Sequence, residues 1–480
     1  MIDPGTSPRL RIAFVYDALV PYCSGGAERR FHELALRLAE RHDVHHVTWR
    51  FWGKEPTIAR DGVTLHGIGA PRGFYGSDGK RTIREAVEFA ARLPAVLGRL
   101  GADVVDASAT PFLPLYSAWA TTRITRTPLV ATWHEFWGDH WLDYLPDRPV
   151  VARAARFVEG AARSLADRRI AVSPFTARRM VGRAHGAAGR GRGGGDRGDV
   201  QDLGDARDRG AAERGDSVGD RGDANRRAVG GIDVVGNGVD LALMSEAPID
   251  DERSDLIYVG RLIDEKRVDL LIRAVAGLID RFPDLRCVIV GDGPERAALG
   301  ALAADLGVGS QVTFCGRVSD DRVPSLMRAS RVLVLPSARE GYGISVVEGQ
   351  ACGLVPVVAA SPMSAAPDLI SDGADGLVFV PTAAALTSVL AELLADGERL
   401  DRLACAARAT ADQRGWDDRA LEMERVYLDL VAGRRQAGTN ARPAIIGPSP
   451  ATGPADLVGA SESRSEVVTD HAPLRGEPRW

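Results

Sequence analysis

Short apolar runs of strand length alternate with stretches of helical periodicity along nearly the whole chain, and this alternation limits the possible folds most strongly. The first half has the strand candidates RIAFVYDAL, HDVHHVTW, VTLHGIG, ADVVDAS and PLVATWH, with the helical stretches GAERRFHELALRLAE and GKRTIREAVEFAARLPAVLGRL between them. Such alternation predicts parallel sheets with helices on both faces.

The second half repeats this pattern. Its strand candidates DLIYVGR, RCVIVGD, QVTFCGR, RVLVLPS, VPVVAAS and GLVFV alternate with RVDLLIRAVAGLIDRF, PERAALGALAADLG, RVPSLMRAS and ISVVEGQACG. At 480 residues the chain exceeds what one hydrophobic core usually holds. We therefore expect an α/β protein with two doubly wound, Rossmann-like domains over residues 1–181 and 232–414. The apolar stripe within residues 415–433 predicts a helix that crosses back to the first domain.

Two segments lack the apolar content of a core. Residues 182–231 consist mainly of Gly, Arg, Asp and Ala, and this composition predicts a disordered or loosely ordered insert. A frameshifted stretch of GC-rich coding sequence is the alternative interpretation. Acidic residues offset the arginines there, so we expect no nucleic acid as a partner. The tail over residues 434–480, rich in Pro, Ser, Gly and Ala, is also predicted to be disordered.

Composition excludes several classes of protein. A net charge of -5 and a pI near 6.0 give no global reason to expect a nucleic acid or an anionic membrane as partner. The five cysteines are scattered and form no metal-ligand spacing, which fits reduced thiols and predicts no metal site. No stretch approaches the roughly 18 to 20 uncharged residues that a membrane span needs. We expect a soluble, cytoplasmic protein.

Glycines follow two of the strand candidates. Gly25 and Gly26, in YCSGGAERR, precede a helix, where close backbone approach and unpaired N–H groups suit a phosphate. An ordinary strand-to-helix turn is the alternative. VIVGDGPER lacks the third glycine of GxGxxG and is better explained as a tight turn with Pro294 at a helix start. We therefore expect no hydride-transfer cofactor.

Two cations leave another strand candidate. Arg261 and Lys266, in YVGRLIDEKRVDLLIRAV, stand five residues apart between a strand and an amphipathic helix. Cations at the carboxyl end of a strand can converge in the crevice where doubly wound sheets bind ligands, and a diphosphate is a suitable ligand. The alternative is a solvated helix start, since DEKR can be surface charge.

Two acids follow the apolar run RVLVL, in LPSAREGYGISVVEGQACG. Glu340 is predicted in the loop at the carboxyl edge of the sheet, and Glu348 in the helix that follows. Gly341 and Gly343 permit close approach of a ligand, and the helix N-terminus provides a second anion site. A carboxylate can accept hydrogen bonds from two neighbouring hydroxyls, so the pair suits a ligand with two sugars.

Taken together, these motifs resemble glycosyltransferase family 4, retaining enzymes of the GT-B fold, in which two Rossmann-like domains face each other across a cleft. The resemblance rests on the order and spacing of the Gly-Gly pair, GRLIDEK, GDGP, FCGRV and EGYGISVVE. AVSPFTARR and VVGNGVD precede the second domain as in that family, and Trp416 precedes the crossing helix. The resemblance covers about residues 9–432 without the insert.

The resemblance implies a nucleoside-diphosphate sugar bound mainly to the second domain and an acceptor held by the first. It implies that Arg261 and Lys266 neutralise the diphosphate, that Glu348 holds the ribose hydroxyls, and that Glu340 contacts sugar hydroxyls. Val318, in FCGRV, would lie near the base. His134, in TWHEFW, matches a histidine that reaches the donor sugar, with a structural histidine as the alternative. The remaining implied donor-binding residues are Gly25, Gly26, Gly341, Tyr342 and Gly343.

The implied activity is transfer of a hexosyl group to a glycan or lipid-linked acceptor. In this family a phosphate oxygen is thought to take the proton of the attacking hydroxyl, so Arg261, Lys266, Glu340 and His134 are the implied catalytic residues. No metal or cofactor besides the donor is implied. The alternatives are a non-catalytic protein of the same fold, either nucleotide-sugar-binding or a scaffold, and a nucleotide-sugar epimerase. The loop SPMSAAPDLISDG departs from the family pattern: it lacks the usual glycines and has Asp368 where an acid is common.

A membrane contact is a separate hypothesis. Residues 151–171, VARAARFVEGAARSLADRRIA, predict an amphipathic helix with five arginines and two acids. Such a helix can lie on an anionic surface, at the inner face of a membrane. The alternative is a solvated helix packed on the first domain.

Overall fold

The computed structural model describes four stretches of the chain, with side chains described up to residue 434: residues 8–23, 25–74, 82–182 and 229–440. Most of the predicted insert, and of the predicted tail, lies outside the described residues. The predictions of disorder for those two segments therefore stay predictions.

Within the described residues, eight strands form the first sheet. They are β1 Arg11–Val15, β2 Asp43–Thr48, β3 Thr57–Arg60, β4 Val63–Gly67, β5 Val104–Ser108, β6 Leu129–Trp133, β7 Arg168–Ala171 and β8 Asp233–Val234. Their order is β3-β4-β2-β1-β5-β6-β7-β8, and every pairing except β3 with β4 is parallel. Strands β5 and β6 are buried along their whole length, as is typical of parallel strands covered on both faces.

Helices cover both faces of this sheet and complete the first lobe. They are α1 Gly26–Ala39, α2 Ile83–Leu97, α3 Phe112–Thr125, α4 His140–Tyr144, α5 Pro149–Ala162 and α6 Pro174–Val181. Helix α1 buries Phe31, Leu34 and Leu38, which lie at helical spacing on one face. The Ser173 hydroxyl caps α6 by accepting a hydrogen bond from the Thr176 N–H at 3.0 Å.

The second lobe is built on a parallel sheet in the order β11-β10-β9-β12-β14-β16, beside a short pair β13-β15. Its strands are β9 Leu256–Val259, β10 Cys287–Val290, β11 Val312–Gly316, β12 Val332–Leu335, β13 Arg339–Glu340, β14 Val355–Ala359, β15 Met363–Ser364 and β16 Leu377–Phe379. Its helices are α7 Leu241–Glu246, α8 Val268–Leu278, α9 Arg296–Asp305, α10 Arg322–Arg328, α11 Ile344–Ala351, α12 Ala383–Ala395 and α13 Gly397–Ala411. Short 3-10 turns cover Asp264–Lys266 and Ala366–Leu369.

The chain passes between the lobes twice. The first passage lies between β8 and α7, the second lies between α13 and the helix that begins at Trp416, and the two lie side by side. The Val239 N–H donates to the Arg414 carbonyl at 2.9 Å, and the Trp416 N–H donates to the Val239 carbonyl at 3.3 Å. Strand β8 precedes the first passage and pairs with β7, so the predicted boundary at residue 232 falls before a strand of the first sheet. The exact domain limits stay a prediction.

The predicted crossing helix is confirmed. Helix α14, Trp416–Asn440, packs Met423, Val426 and Tyr427 into the core of the first lobe. The helix extends to Asn440, beyond the predicted end at residue 433, while disorder of the rest of the tail stays a prediction. Arg434 explains part of the extension, because its guanidinium lies 2.8 Å from the Asp167 carboxylate of the first lobe.

The predicted helix over residues 151–171 is too long. Helix α5 ends at Ala162, and Arg168–Ala171 form β7, which pairs with β6 and β8. The reason is burial: Ile170 and Ala171 lie inside the sheet and are fully buried. Arg168 pairs with Asp233 at 2.7 Å, so it is not part of an exposed helical face. Among the described residues, no helix is both long and apolar enough to cross a membrane.

Candidate functional site

The predicted residues of the second lobe flank the point where its sheet changes direction. The chain proceeds from β9 outward through β10 and β11, and then returns to place β12 beside β9. Open α/β sheets bind ligands at such a switch point, outside the carboxyl ends of the strands. Arg261 and Lys266 follow β9, and Glu340 and Glu348 follow β12. The two cations and the two acids therefore follow β9 and β12, the two strands that flank this switch point. We call the space between the carboxyl ends of these strands and the first lobe the crevice.

Lys266 and Glu340 are in direct contact. Lys266 Nζ lies 2.5 Å from Glu340 Oε1, and both side chains are partly buried. Partial burial reduces screening by water, so the attraction exceeds that of an ordinary surface pair. The structure thus brings together two predicted site residues of opposite charge.

Arg261 lies on a loop whose backbone is fixed. Its carbonyl accepts a hydrogen bond from the Tyr258 hydroxyl at 3.0 Å. Burial, and then the charge of Glu340, raise the pKa of Tyr258 well above its ordinary value, so this hydroxyl remains a donor. The GDGP turn packs on the same loop, since a Cβ at Gly293 would lie 2.2 Å from the Leu262 carbonyl oxygen. Arg261 itself is exposed.

Glu348 pairs with a cation of the opposite lobe. Its carboxylate, on α11, lies 2.6 Å from Nη1 of Arg29, on α1. The Glu348 side chain is 7% exposed and that of Arg29 is 28% exposed. Burial raises the pKa of Glu348, Arg29 opposes that shift, and Asp320 adds to it. Sequence reasoning did not single out Arg29, although it lies within the quoted YCSGGAERR stretch.

The loop between the two glutamates packs tightly against the first lobe. A Cβ at Gly341 would lie 2.3 Å from the carbonyl oxygen of His134, so only glycine fits there. Gly343 precedes α11 with a φ of +96°, in the left-handed region that favours glycine. The buried Tyr342 donates its hydroxyl to the Asn237 carbonyl at 2.8 Å. These residues were predicted to bind a donor, and their contacts in the structure hold the loop against the first lobe and the first passage.

His134 lies at the end of β6 with its ring against Tyr16 and Phe31, at centroid distances of 6.4 and 5.8 Å. Burial, and then the charge of Arg30, lower the pKa of His134 to about 3, so the imidazole is neutral near neutral pH. Its Nε2 is buried without a hydrogen-bond partner among the described residues. A neutral imidazole with an unused nitrogen can donate to, or accept from, a hydroxyl.

Gly25 and Gly26 open α1. Gly25 is its N-cap, with an extended φ of -177°, so its backbone conformation does not require glycine. A Cβ at Gly26 would meet only the Asn237 side chain, at 4.0 Å. A Cβ at Gly25 would lie 2.4 Å from Glu28 Oε2, so the Glu28 carboxylate lies against Gly25, whereas there is open space at Gly26. The anion site at the first turn of α1 stays a prediction.

Arg30 has one of the largest fully buried side chains among the described residues, and the sequence did not indicate it as a candidate. Its Nη1 donates to the Gly236 carbonyl at 2.6 Å and to the Asn237 side chain at 3.2 Å. Its Nη2 donates to the Met423 sulfur at 3.5 Å. Burial lowers the pKa of Arg30, and the nearby Asp106 carboxylate opposes that shift. Arg30 thus ties α1 to the first passage between the lobes and to the crossing helix.

Arg339 makes further contacts across the crevice. Its guanidinium lies 2.9 Å from Glu135 of the first lobe and 2.8 Å from Glu265 of the second. It also stacks on the Trp137 ring, 3.9 Å from the centroid. The buried Glu159 fixes this loop by accepting the Trp137 N–H at 2.7 Å. Burial raises the pKa of Glu159, against the backbone hydrogen bonds that it accepts.

Two more predicted residues lie around this crevice. Val318 follows β11 and packs against the second-lobe core, and the charge of Asp320, two residues on, reaches Glu348. Asp368 lies 2.6 Å from Arg178, on α6 of the first lobe. Within the part of the chain that the structure describes, no group of three or more His, Cys, Asp or Glu side chains could hold a metal ion.

Family models match both lobes. The model described as "Glycosyl transferase 4-like domain" matches residues 25–191, and "Glycosyl transferases group 1" matches residues 242–410. Two parallel α/β sheets joined by a crossing helix define the GT-B class of fold. The chain belongs to the group 1, GT4-like glycosyltransferase family, as its sequence motifs predicted.

Curated relatives match part of the chain. The Mycolicibacterium smegmatis "GDP-mannose-dependent alpha-(1-6)-phosphatidylinositol monomannoside mannosyltransferase" is 34% identical over 195 residues, which cover 39% of this chain and 50% of the relative. The "D-inositol 3-phosphate glycosyltransferase" of Streptomyces bingchenggensis is 37% identical over 193 residues, or 38% of this chain and 41% of the relative. The chain thus spans half the length of these relatives or less.

Solved structures match most of the chain in fold alone. Sucrose-phosphate synthase from Thermosynechococcus elongatus superposes with a TM-score of 0.67 at 19% identity, covering 88% of this chain and 100% of that one. Anabaena Alr3699/HepE, solved in complex with UDP and glucose, superposes with a TM-score of 0.61 at 18% identity, covering 87% of this chain and 99% of that one.

Proposed function

We propose that this protein transfers a hexosyl group from a nucleoside-diphosphate sugar to a glycan or lipid-linked acceptor, with retention of configuration. The observation that carries the proposal is the pair of acid–cation contacts at the crevice, Lys266 with Glu340 and Arg29 with Glu348. A donor nucleotide presents phosphates that suit the cations and hydroxyls that suit the acids. Each contact therefore marks a position where a phosphate or a hydroxyl of the donor can bind.

In the proposed site, Arg261 and Lys266 bind the diphosphate beside the N-terminus of α11. Glu348 accepts hydrogen bonds from the ribose hydroxyls, and Glu340 accepts them from the transferred sugar. Val318 lies near the base. His134, neutral because its pKa is about 3, uses the unpartnered Nε2 on a sugar hydroxyl. Gly25 and Gly26 let the diphosphate approach the backbone at α1 once the Glu28 carboxylate has turned away from Gly25.

The proposed reaction breaks the bond between the anomeric carbon and the diphosphate oxygen. The acceptor oxygen attacks from the face that the diphosphate leaves, and a phosphate oxygen takes the proton of that hydroxyl. The protein then contributes orientation and electrostatic stabilisation of the departing diphosphate, by Arg261, Lys266 and the helix N-termini. No protein nucleophile is required.

The relatives suggest which substrates to try first. One is named as a GDP-mannose-dependent enzyme acting on a phosphatidylinositol monomannoside, and another as acting on D-inositol 3-phosphate. A structural neighbour was solved in complex with UDP and glucose. We propose GDP-mannose and UDP-sugars as candidate donors, and inositol phosphates and phosphatidylinositol mannosides as candidate acceptors.

Thermal stabilisation by a panel of nucleoside diphosphates and their sugars tests the donor site. We expect one nucleotide family to raise the Tm, and Arg261→Ala and Glu348→Ala to abolish the shift. Arg273→Ala, an exposed arginine on α8 of the same lobe, is the matched control and should keep the shift. A wild-type protein that melts cooperatively and responds to no nucleotide would favour the scaffold alternative.

Product analysis separates the enzyme classes. With the stabilising donor, we expect a glycosylated acceptor and released nucleoside diphosphate, with at most slow hydrolysis when the acceptor is omitted. Rapid turnover of the donor to its stereoisomer without acceptor would instead identify an epimerase. Binding without any turnover, across the acceptor panel, would support the non-catalytic nucleotide-sugar-binding protein.

We also propose that α5 contacts an anionic membrane surface at the inner face. Val150 and Phe157 lie seven residues apart on one face of the helix, 74% and 76% exposed, with the exposed Arg153 between them. Apolar side chains beside cations suit an anionic lipid surface. We expect sedimentation with phosphatidylglycerol vesicles but not with phosphatidylcholine vesicles, and loss of binding in Phe157→Ser. Ile124→Ser, at an 84% exposed site on α3, is the control and should still bind.

A further inference from the structure

The contact between Arg29 and Glu348 joins the two lobes at the crevice. Arg29 lies near the start of α1, just after the Gly-Gly pair, and Glu348 lies in the second turn of α11. Their side chains meet at 2.6 Å although 319 residues separate them in the sequence. A residue of the first lobe thus occupies the acid to which the proposed function assigns the ribose.

The environment of Arg29 permits movement. Its side chain is 28% exposed, and among the described residues its guanidinium pairs with a side chain of the other lobe, that of Glu348. The next residue, Arg30, is fully buried and donates to three acceptors, which holds the backbone of α1 in place. The Arg29 guanidinium can therefore turn about its own side-chain bonds without displacing the helix.

Ribose and Arg29 compete for one carboxylate. A ribose that donates one hydroxyl to each oxygen of Glu348 uses Oε1, the oxygen that receives the Arg29 guanidinium now, and the Glu348 side chain is only 7% exposed, which leaves little space for both partners. The displaced guanidinium then needs another acceptor. In a nucleotide the first phosphate is attached to the ribose through a single methylene group, so phosphate oxygens lie close to the displaced guanidinium. Arginine is suited to them, because its fork of N–H groups matches phosphate geometry.

We propose that Arg29 is a donor-binding residue: its guanidinium leaves Glu348 when the donor binds and then contacts the diphosphate. Without a nucleotide it neutralises Glu348. With one bound, it contributes a third cation to the diphosphate, from the first lobe, opposite Arg261 and Lys266 of the second. The proposal rests on the proposed function and adds a charged contact from the first lobe to the diphosphate. It also gives the ligand a direct way to hold the two lobes together.

Paired affinities test this role. For guanosine and GDP, and for uridine and UDP, the ratio of the nucleoside Kd to the diphosphate Kd measures what the diphosphate contributes. We expect Arg29→Ala to lower this ratio at least tenfold, which is the loss expected for one charge-assisted contact. Arg29→Lys should recover part of it. Arg37→Ala, two helical turns farther along α1 and paired with Glu33 and Asp417, should leave the ratio unchanged.

Each outcome bears on a separate claim. If Arg29 acts only by orienting Glu348, then Arg29→Ala weakens nucleoside and diphosphate by the same factor, and the unchanged ratio overturns this inference alone. Glu348→Gln gives a second measurement: it should weaken the nucleoside while most of the diphosphate contribution remains. A wild-type protein that binds neither diphosphate overturns the proposed function and this inference with it.

Discussion

Arg29 and Arg30 are consecutive residues of α1 that lie in opposite environments. Arg29 is partly exposed and pairs with Glu348 across the crevice. Arg30 is fully buried and donates to a backbone carbonyl, a side-chain amide and a methionine sulfur. One helix thus holds a polar group that a ligand can displace next to one that no ligand reaches.

The same contrast separates two larger regions. The buried cluster, which comprises Arg30, Asp106, Thr132 and Tyr427, joins the first sheet to the crossing helix. The crevice pairs, Lys266 with Glu340 and Arg29 with Glu348, are salt bridges between partly or mostly buried groups; the first lies within the second lobe and the second joins the two lobes. Buried polar groups are costly to leave unpaired, whereas a group at a crevice can exchange its partner for a ligand or water. We therefore expect changes in the buried cluster to alter stability and changes in the crevice pairs to alter binding and turnover.

The largest effect is expected at Arg30. Arg30→Ala leaves a cavity and strips the Gly236 carbonyl and the Asn237 side chain of a donor. We expect the free energy of unfolding to fall by about 3 to 5 kcal/mol, as for other broken buried charge contacts. Urea unfolding of the purified variant measures the change. Arg84→Ala, on the surface of α2, is the control, and an equal loss there would contradict the contrast.

Asp106 should make stability depend on pH. It accepts from the Tyr427 and Thr132 hydroxyls at 2.6 and 2.8 Å, yet burial raises its pKa from 3.8 to about 6. Between these values the folded chain holds a proton that the unfolded chain has released. The contribution of Asp106 to the free energy of unfolding should therefore fall as pH rises from about 4 to about 6, by about 3 kcal/mol. The buried His46 and His134, whose pKa values are lowered to about 3, contribute in the opposite sense over this range.

Asp106→Asn isolates this contribution. The variant cannot titrate at that position, so its free energy of unfolding relative to that of the wild type should rise between pH 4.5 and pH 7, as measured by urea unfolding of both proteins at both pH values. The comparison concerns the change with pH, so any constant effect of the amide on stability cancels. Equal pH dependence in both proteins would show that Asp106 is already ionised at pH 4.5 and that burial does not dominate its environment.

At the crevice the expected effect is on turnover. Lys266→Ala removes a cation proposed to stabilise the departing diphosphate, and we expect kcat to fall about 100- to 1,000-fold, comparable to the loss of one preorganised donor. Stability should change by about 1 kcal/mol or less, because water can reach the partly exposed Glu340. Steady-state kinetics with the identified donor, beside urea unfolding, gives both numbers. A large loss of stability with intact kcat would place Lys266 with the buried cluster instead.

The fold was predictable because its signals are local. Apolar runs such as RVLVL and VPVVAA are each one continuous stretch of sequence, and each forms one strand. These two form β12 and β14, which are buried throughout. The helix predicted over residues 151–171 was too long because β7, RRIA, is rich in arginine. Its charged residues resembled the polar face of a helix. Its strand character depends on pairing with β6 and β8, which are far away in the sequence.

The site was predictable in part for the same reason. Glycines, acids and cations directly after strands marked Lys266, Glu340 and Glu348, because carboxyl ends of parallel strands meet at one edge. Arg29 and Arg30 gave no such signal, since AERR on a helix is typical of a solvated face. Their partners are 319 and 206 or more residues away. Only folding brings these groups together, so no local pattern could distinguish the two arginines.

The smallest effect is expected at His134, which belongs to the first lobe but lies beside Gly341 of the crevice loop. Its pKa of about 3 keeps the ring neutral at every pH at which the protein would be assayed. If it hydrogen-bonds the donor sugar, His134→Gln should weaken the nucleotide sugar by a factor that is constant within about twofold from pH 5 to pH 8, because neither side chain changes charge. Affinities measured across that range give the ratio. A ratio that changes near pH 6.5 would mean that the imidazole titrates normally in solution, and His134 would then belong with the groups that exchange partners at the crevice rather than with the buried ones.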